Sequence, residues 1–213
     1  MYRLINENSE NLVKSFNKKS VSRYLATLDE NRKQDDFKSF YGLNAAHLCD
    51  NFLAEYFNIL NSKTVNGVEI GKDAENAAKD ALLIVDYLET IPSNSKGQHK
   101  VQFSFATKLL HTINQNCPIY DNRLADLYFF PYIGNCTKVK KLSAYEKIYN
   151  FLINEFKRIQ NEKLLEKTVQ VFCKEVADFS KITSVKQFDF ILWHFSSELR
   201  KGLIIENFDF KYK

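Results

Sequence analysis

The sequence predicts an all-α fold, on three observations. Glycine supplies only 6 residues and proline 3, whereas a sandwich or barrel needs turn signals roughly every 8–12 positions. Apolar residues recur at spacings of three and four along most of the chain, the period of a helix with one buried face. Eighteen Phe and 11 Tyr supply the bulk of a substantial core.

Taken in order, residues 19–30 read as a short helix with Val21, Tyr24, Leu25 and Leu28 on one side. Residues 43–61 carry a broader stripe from Leu43 to Leu60. The tract Ser62–Gly67 breaks it, and Asn66-Gly67 is a turn dipeptide that can join Val65, Val68 and Ile70 in a small hairpin. Asp73 caps a helix over 74–91, with Ala77, Ala81, Leu82, Ile84, Val85 and Leu88 inward. Pro92-Ser93-Asn94-Ser95-Lys96-Gly97 is the clearest linker. It is either a loop in one helical domain or the boundary between helical lobes 1–92 and 98–213 with a cleft between them. Further helices are expected at 99–114, 122–130, 143–160, 162–179 and 184–200. The last is capped by Ser184, with Phe188, Ile191, Leu192 and Phe195 on its core face.

Composition narrows the class. No run approaches the ~20 apolar residues of a membrane helix, so no membrane association is expected. The N-terminus turns polar at once, which argues against a secretory signal. Cys49, Cys117, Cys136 and Cys173 form no C-x-x-C pair and the 4 His show no ligand spacing, so no metal is expected. A cytoplasmic protein with reduced thiols follows. The net charge is +4, yet residues 95–150 hold eight basic residues against three acidic. A locally basic segment suits either a polyanionic partner or a solvated lysine face.

The function-like stretch runs from Phe103 to Leu127. Val101, Phe105, Leu109 and Ile113 recur every four residues, and Lys108 sits beside that stripe with Ser104 and His111 at helical spacing. Asn114–Pro118 ends the helix, and a short extended piece leads to Asp121 at the start of the next one. A lysine at the edge of an apolar face can lose proton affinity through desolvation and become a nucleophilic amine. A carboxylate beside it can take a proton or stabilise a developing cation. The plainer readings are a lysine snorkelling at a helix edge and an aspartate that only caps. His111 can line the same cleft or be a hydrogen-bonded core residue. Arg123 can meet a phosphate or a neighbouring acid. Trp193 can stack on a flipped base or fill the core.

The order Thr107-Lys108, an apolar helix, Pro118-Ile119-Tyr120-Asp121 and a second helix resembles the catalytic region of the helix-hairpin-helix DNA glycosylases, most closely their 8-oxoguanine glycosylase branch. It is also similar to a looser set of bacterial proteins with a Lys-Leu-Leu-His…Pro-x-Tyr-Asp core. That set tends to carry a C-terminal Asp…Leu-Trp signature, matched by Asp189, Leu192 and Trp193. The resemblance implies a helical bundle of that fold, double-stranded DNA as partner, and DNA repair chemistry. It places the lysine that attacks C1′ of a damaged nucleotide on Lys108 and the assisting carboxylate on Asp121. It makes Ser104-Phe105-Ala106-Thr107 and Arg123 the DNA contacts, and His111 and Trp193 the walls of the base pocket. Neither cofactor nor iron–sulfur cluster is implied. The family's hairpin is glycine-rich, and Ser104-Phe105-Ala106 stands in its place. That substitution favours the rival expectation of a non-catalytic module of the same fold that binds nucleic acid or protein.

Overall fold

The computed structural model describes residues 1–202 except 30, 32 and 135. The last residue expected in the 19–30 helix and the final residues of the 98–213 lobe therefore lie outside the described part. Among the described residues the structure is mainly α-helical, with one two-stranded ribbon. No helix among them is long and apolar enough to cross a membrane.

The chain opens with two short helices, α1 (Tyr2–Glu7) and α2 (Ser9–Ser15), followed by α3 (Lys19–Leu28) and α4 (Gln34–Tyr41). The stripe expected over 43–61 is divided. Asn44–Ala46 is a 3-10 turn, His47 turns left-handed at φ 50°, and α5 runs Asp50–Ser62. The division has a tertiary cause: the extended Cys49 turns its N–H to the carbonyl of Ser93 at 3.1 Å instead of into a helix. The hairpin follows as expected, with β1 (Thr64–Val65) antiparallel to β2 (Val68–Glu69). Asn66 and Gly67 both have positive φ, the geometry of the two-residue turn whose twist matches its strands. Ile70 lies beyond the ladder but is buried. Gly71 is needed as glycine, since a Cβ there would fall 2.6 Å from Ile113 Cγ2.

Asp73 caps a 3-10 turn that runs into α6 (Ala77–Glu89). The segment Pro92–Gly97 is tied down: Ser93 is buried and hydrogen-bonds the Gln98 carbonyl through both N–H and hydroxyl. The hydrophobic core runs across this connection without a break, from Ile5 to Phe195. Beyond it come α7 (Phe103–Ile113), α8 (Asn122–Leu127), α9 (Lys138–Asn161), α10 (Glu166–Glu175) and α11 (Ser184–Arg200). Several ends differ from expectation for identifiable reasons. Helix α9 starts early because Thr137 caps it by accepting the Lys140 N–H. Helix α10 stops at Glu175, and the left-handed Asp178 turns the chain into a 3-10 turn. The cap of α11 is Thr183 rather than Ser184.

Helix α11 is the centre of the molecule. Every residue from Val185 to Leu192 is buried, and α2, α8, α9 and α10 pack around it. Phe190 meets Phe16 and Phe179 edge-on or tilted, at centroid distances of 5.8 and 6.4 Å. A helical stretch covered on all sides, as Val185–Leu192 is, is ordinarily apolar throughout. This one also buries Lys186, Asp189 and His194, each of which needs a partner to offset its desolvation.

Candidate active site

Helix α7 presents its apolar stripe to α5 and α6 and leaves Lys108 half-buried at the edge. The chain then reverses through residues 114–120, and this turn is pinned along its length. The Gln115 carbonyl accepts from the Thr183 hydroxyl, the Cys117 carbonyl from His111 Nδ1 at 2.7 Å, and the Pro118 carbonyl from the Tyr149 hydroxyl at 2.7 Å. Finally the Tyr120 N–H donates to Thr107 Oγ1 at 3.1 Å. Thr107 is the residue before Lys108, and Tyr120 the residue before Asp121. The clamp therefore fixes the lysine and the carboxylate in register.

Asp121 caps α8, its Oδ1 accepting the N–H groups of Arg123 and Leu124 at 3.0 Å each. This places its charge at the positive end of the helix dipole. Among the described residues the Lys108 ammonium has neither an ion pair nor a side-chain hydrogen bond; it lies 5.1 Å from the centroid of the Phe105 ring. Burial holds its pKa below the ordinary lysine value. Asp121 and then Asp189 pull it back up, and Lys186 pushes it down. Lys108 and Asp121 thus share one electrostatic environment.

Behind them lies a second pair. Lys186 Nζ is 2.7 Å from Asp189 Oδ2, both residues being buried. The rings of Tyr24, Phe40, Tyr41 and Phe190 surround the ammonium at 4.5–5.9 Å. Burial raises the pKa of Asp189, and Lys186 opposes that shift. Lys186 was not singled out from the sequence, and Asp189 only through a signature. A readable signal existed: opposite charges at i and i+3 of one helix are placed to pair.

The structure corrects part of the expected site. Ser104–Thr107 lies within the first turns of α7 and is not a hairpin; residues 90–102 connect the helices instead. Phe105, Ala106 and Thr107 are buried and cannot touch DNA, so of those four only Ser104 is partly open. Thr107 is the clamp described above. His111 is 0% exposed and does not line a pocket. Its Nδ1 faces a carbonyl, which can only accept, so Nδ1 carries the proton and Nε2 accepts the Tyr24 hydroxyl at 2.9 Å. Burial lowers its pKa to about 3, keeping it neutral.

Arg123 and Trp193 come together at the surface. The guanidinium carbon lies 4.4 Å from the indole centroid, Trp193 is 39% exposed, and Arg123 forms no ion pair among the described residues. The Ser196 hydroxyl holds the Arg123 carbonyl at 3.0 Å, which docks the first turn of α8 on α11. A cation stacked on an indole, two residues from Asp121, offers donors to an anion and an aromatic face beside them. No known protein family, curated protein or solved structure matches the chain.

Proposed function

We propose that this protein is a base-excision DNA glycosylase with lyase activity, using Lys108 as the nucleophile and Asp121 as the assisting carboxylate. The observation that carries the reading is the pair itself: a half-buried lysine with lowered proton affinity and no ion-pair partner among the described residues, within electrostatic reach of a carboxylate fixed at a helix N-terminus. In this reaction the neutral Lys108 amine attacks C1′ of the nucleotide. The bond from C1′ to the base breaks, and the base departs with the electron pair and takes up a proton. Asp121 stabilises the positive charge that develops on the sugar. Loss of a proton from nitrogen and opening of the sugar ring leave a Schiff base between Lys108 and C1′. Loss of the C2′ proton then expels the 3′ phosphate and cuts the strand. Arg123 suits a backbone phosphate and Trp193 a base. All four cysteines are free thiols, which suits the reducing cytoplasm.

The burial of Phe105, Ala106 and Thr107 supports a second reading, a binding module without catalysis, because it removes the hairpin that should grip DNA. Duplexes carrying 8-oxoguanine, uracil or an abasic site separate the two. The first reading expects base release or strand cleavage on at least one lesion, lost in Lys108→Gln. Intact duplex binding without turnover on any of them leaves the module.

A further inference from the structure

Two local features oppose the fold's own preferences at one place. Helix α8 ends in a Schellman turn, with Phe129 N–H bonded to the Asp126 carbonyl and Phe130 N–H to that of Ala125. The residue at its left-handed position is ordinarily glycine. Here it is Phe129, at φ 54°, with its side chain 92% exposed. The ring meets an unfavourable backbone conformation and gains almost no burial in return. Three residues on, Tyr132 is 95% exposed.

The start of α9 is the second feature. Its first turns carry Lys138, Lys140 and Lys141 and no acidic residue, the charge order that opposes the helix dipole. Lys138 is engaged by Asp86 and Glu89. Among the described residues Lys140, Lys141 and Lys147 have no acidic partner, and Val139 stands exposed between the first lysines. Where a sequence breaks its local rules without a gain in packing, function is the ordinary reason.

Tyr132 and the start of α9 are linked to the Lys108–Asp121 pair through two tyrosines. Tyr132 lies within electrostatic reach of Tyr145 on α9, one turn after Lys141. The Tyr145 ring is 5.7 Å from that of Tyr120, the residue before Asp121. Exposed aromatic rings beside unpaired lysines are the combination that binds unstacked bases and their phosphates together. We infer that Phe129 and Tyr132, with Lys140, Lys141 and Lys147, form the docking surface for the nucleic-acid strand that enters the site, the two rings stacking on its bases. The inference rests on the reading of this site as one for DNA and adds the surface that grips the strand. Lysines with no acidic partner among the described residues complement phosphate, and the link through Tyr145 and Tyr120 toward Asp121 favours a strand over a lipid surface.

The test measures binding of fluorescent single-stranded DNA and of a duplex with a tetrahydrofuran abasic analogue, as a function of salt. The 213-residue chain is compared with F129G, F129G/Y132A and K140Q/K141Q/K147Q. The expected result is a split for F129G: a melting temperature equal to or above that of the parent, with weaker binding. The double variant should lose roughly tenfold or more in affinity. The lysine variant should lower the slope of log K against log salt by about 2 to 3. Parental binding by F129G/Y132A overturns the inference even where strand cleavage by Lys108 is intact. Weaker binding by that variant supports it even where no cleavage is found on any lesion. Binding to vesicles of anionic phospholipid with none to DNA at low salt overturns it.

Discussion

Thr107 Oγ1 accepts the Tyr120 N–H across a turn, and the residue that follows each is half of the Lys108–Asp121 pair. The threonine is fully buried. Replacing its hydroxyl with a methyl of similar size strands the amide, at a cost of about 1–3 kcal/mol. Thr107→Val should therefore lower stability by that amount in urea unfolding. It should also slow Schiff-base formation more than it weakens DNA binding, because the carboxylate shifts relative to the amine. Thr107→Ser, which keeps the acceptor, should restore most of both.

The proposed attack by Lys108 has a predictable pH dependence. Burial lowers its pKa, so the reactive neutral amine appears below the ordinary value of 10.5. The rate of adduct formation should rise with pH and reach half its maximum below that value. Stability should move in the same direction. Between the folded pKa and 10.5 the unfolded chain binds a proton that the folded chain does not, so stability rises with pH across that window. Lys108→Met should flatten that segment of the curve in denaturant titrations.

His111 predicts the opposite end of the pH range. Its folded pKa is lowered to about 3 from 6.5. Its contribution is complete above 6.5 and is lost as pH falls toward 3, because the unfolded chain takes up a proton that the folded chain excludes. His111→Gln should cost about 2 kcal/mol at pH 7 through the Tyr24 and Cys117 hydrogen bonds. The loss of stability between pH 7 and pH 4 should be smaller in the variant than in the parent.

Lys186 and Asp189 should behave as a unit. Removing one partner leaves a buried charge without its counter-charge, at about 3–5 kcal/mol. Lys186→Met and Asp189→Leu should each show that loss in thermal or urea unfolding. The double variant, which leaves neither charge, should be more stable than either single one. A double-mutant cycle with additive effects would contradict the pairing.

The helical class was legible because it rests on periodicity and on scarce turn residues, and both are local. The Asn66-Gly67 hairpin and the Asp73 and Asp121 caps were legible for the same reason. Lys108 and Asp121 could be singled out because their turn is short and its ends are marked by Pro118 and a capping residue. What escaped was tertiary. Nothing local in Thr107 says that its hydroxyl binds a backbone amide across the turn rather than DNA. Nothing local in His111 says that Tyr24, far away in sequence, satisfies its second nitrogen. Helix α11 read as one-sided because its core face is apolar, but α2 covers His194 and rings of α3 and α4 cover Lys186. The division at His47 depends on a hydrogen bond from Cys49 to Ser93, which no period reveals.

The proposed Schiff base between Lys108 and a nucleotide sugar is trapped by borohydride. Incubation with an abasic duplex followed by reduction should give a covalent protein–DNA adduct, with the modified peptide containing Lys108. The adduct should be absent in Lys108→Gln, at a melting temperature no lower than the parent's, and much reduced in Asp121→Asn. An adduct that persists in Lys108→Gln, or none from the parent protein on abasic DNA at any pH up to 9, would rule out Lys108 as the nucleophile.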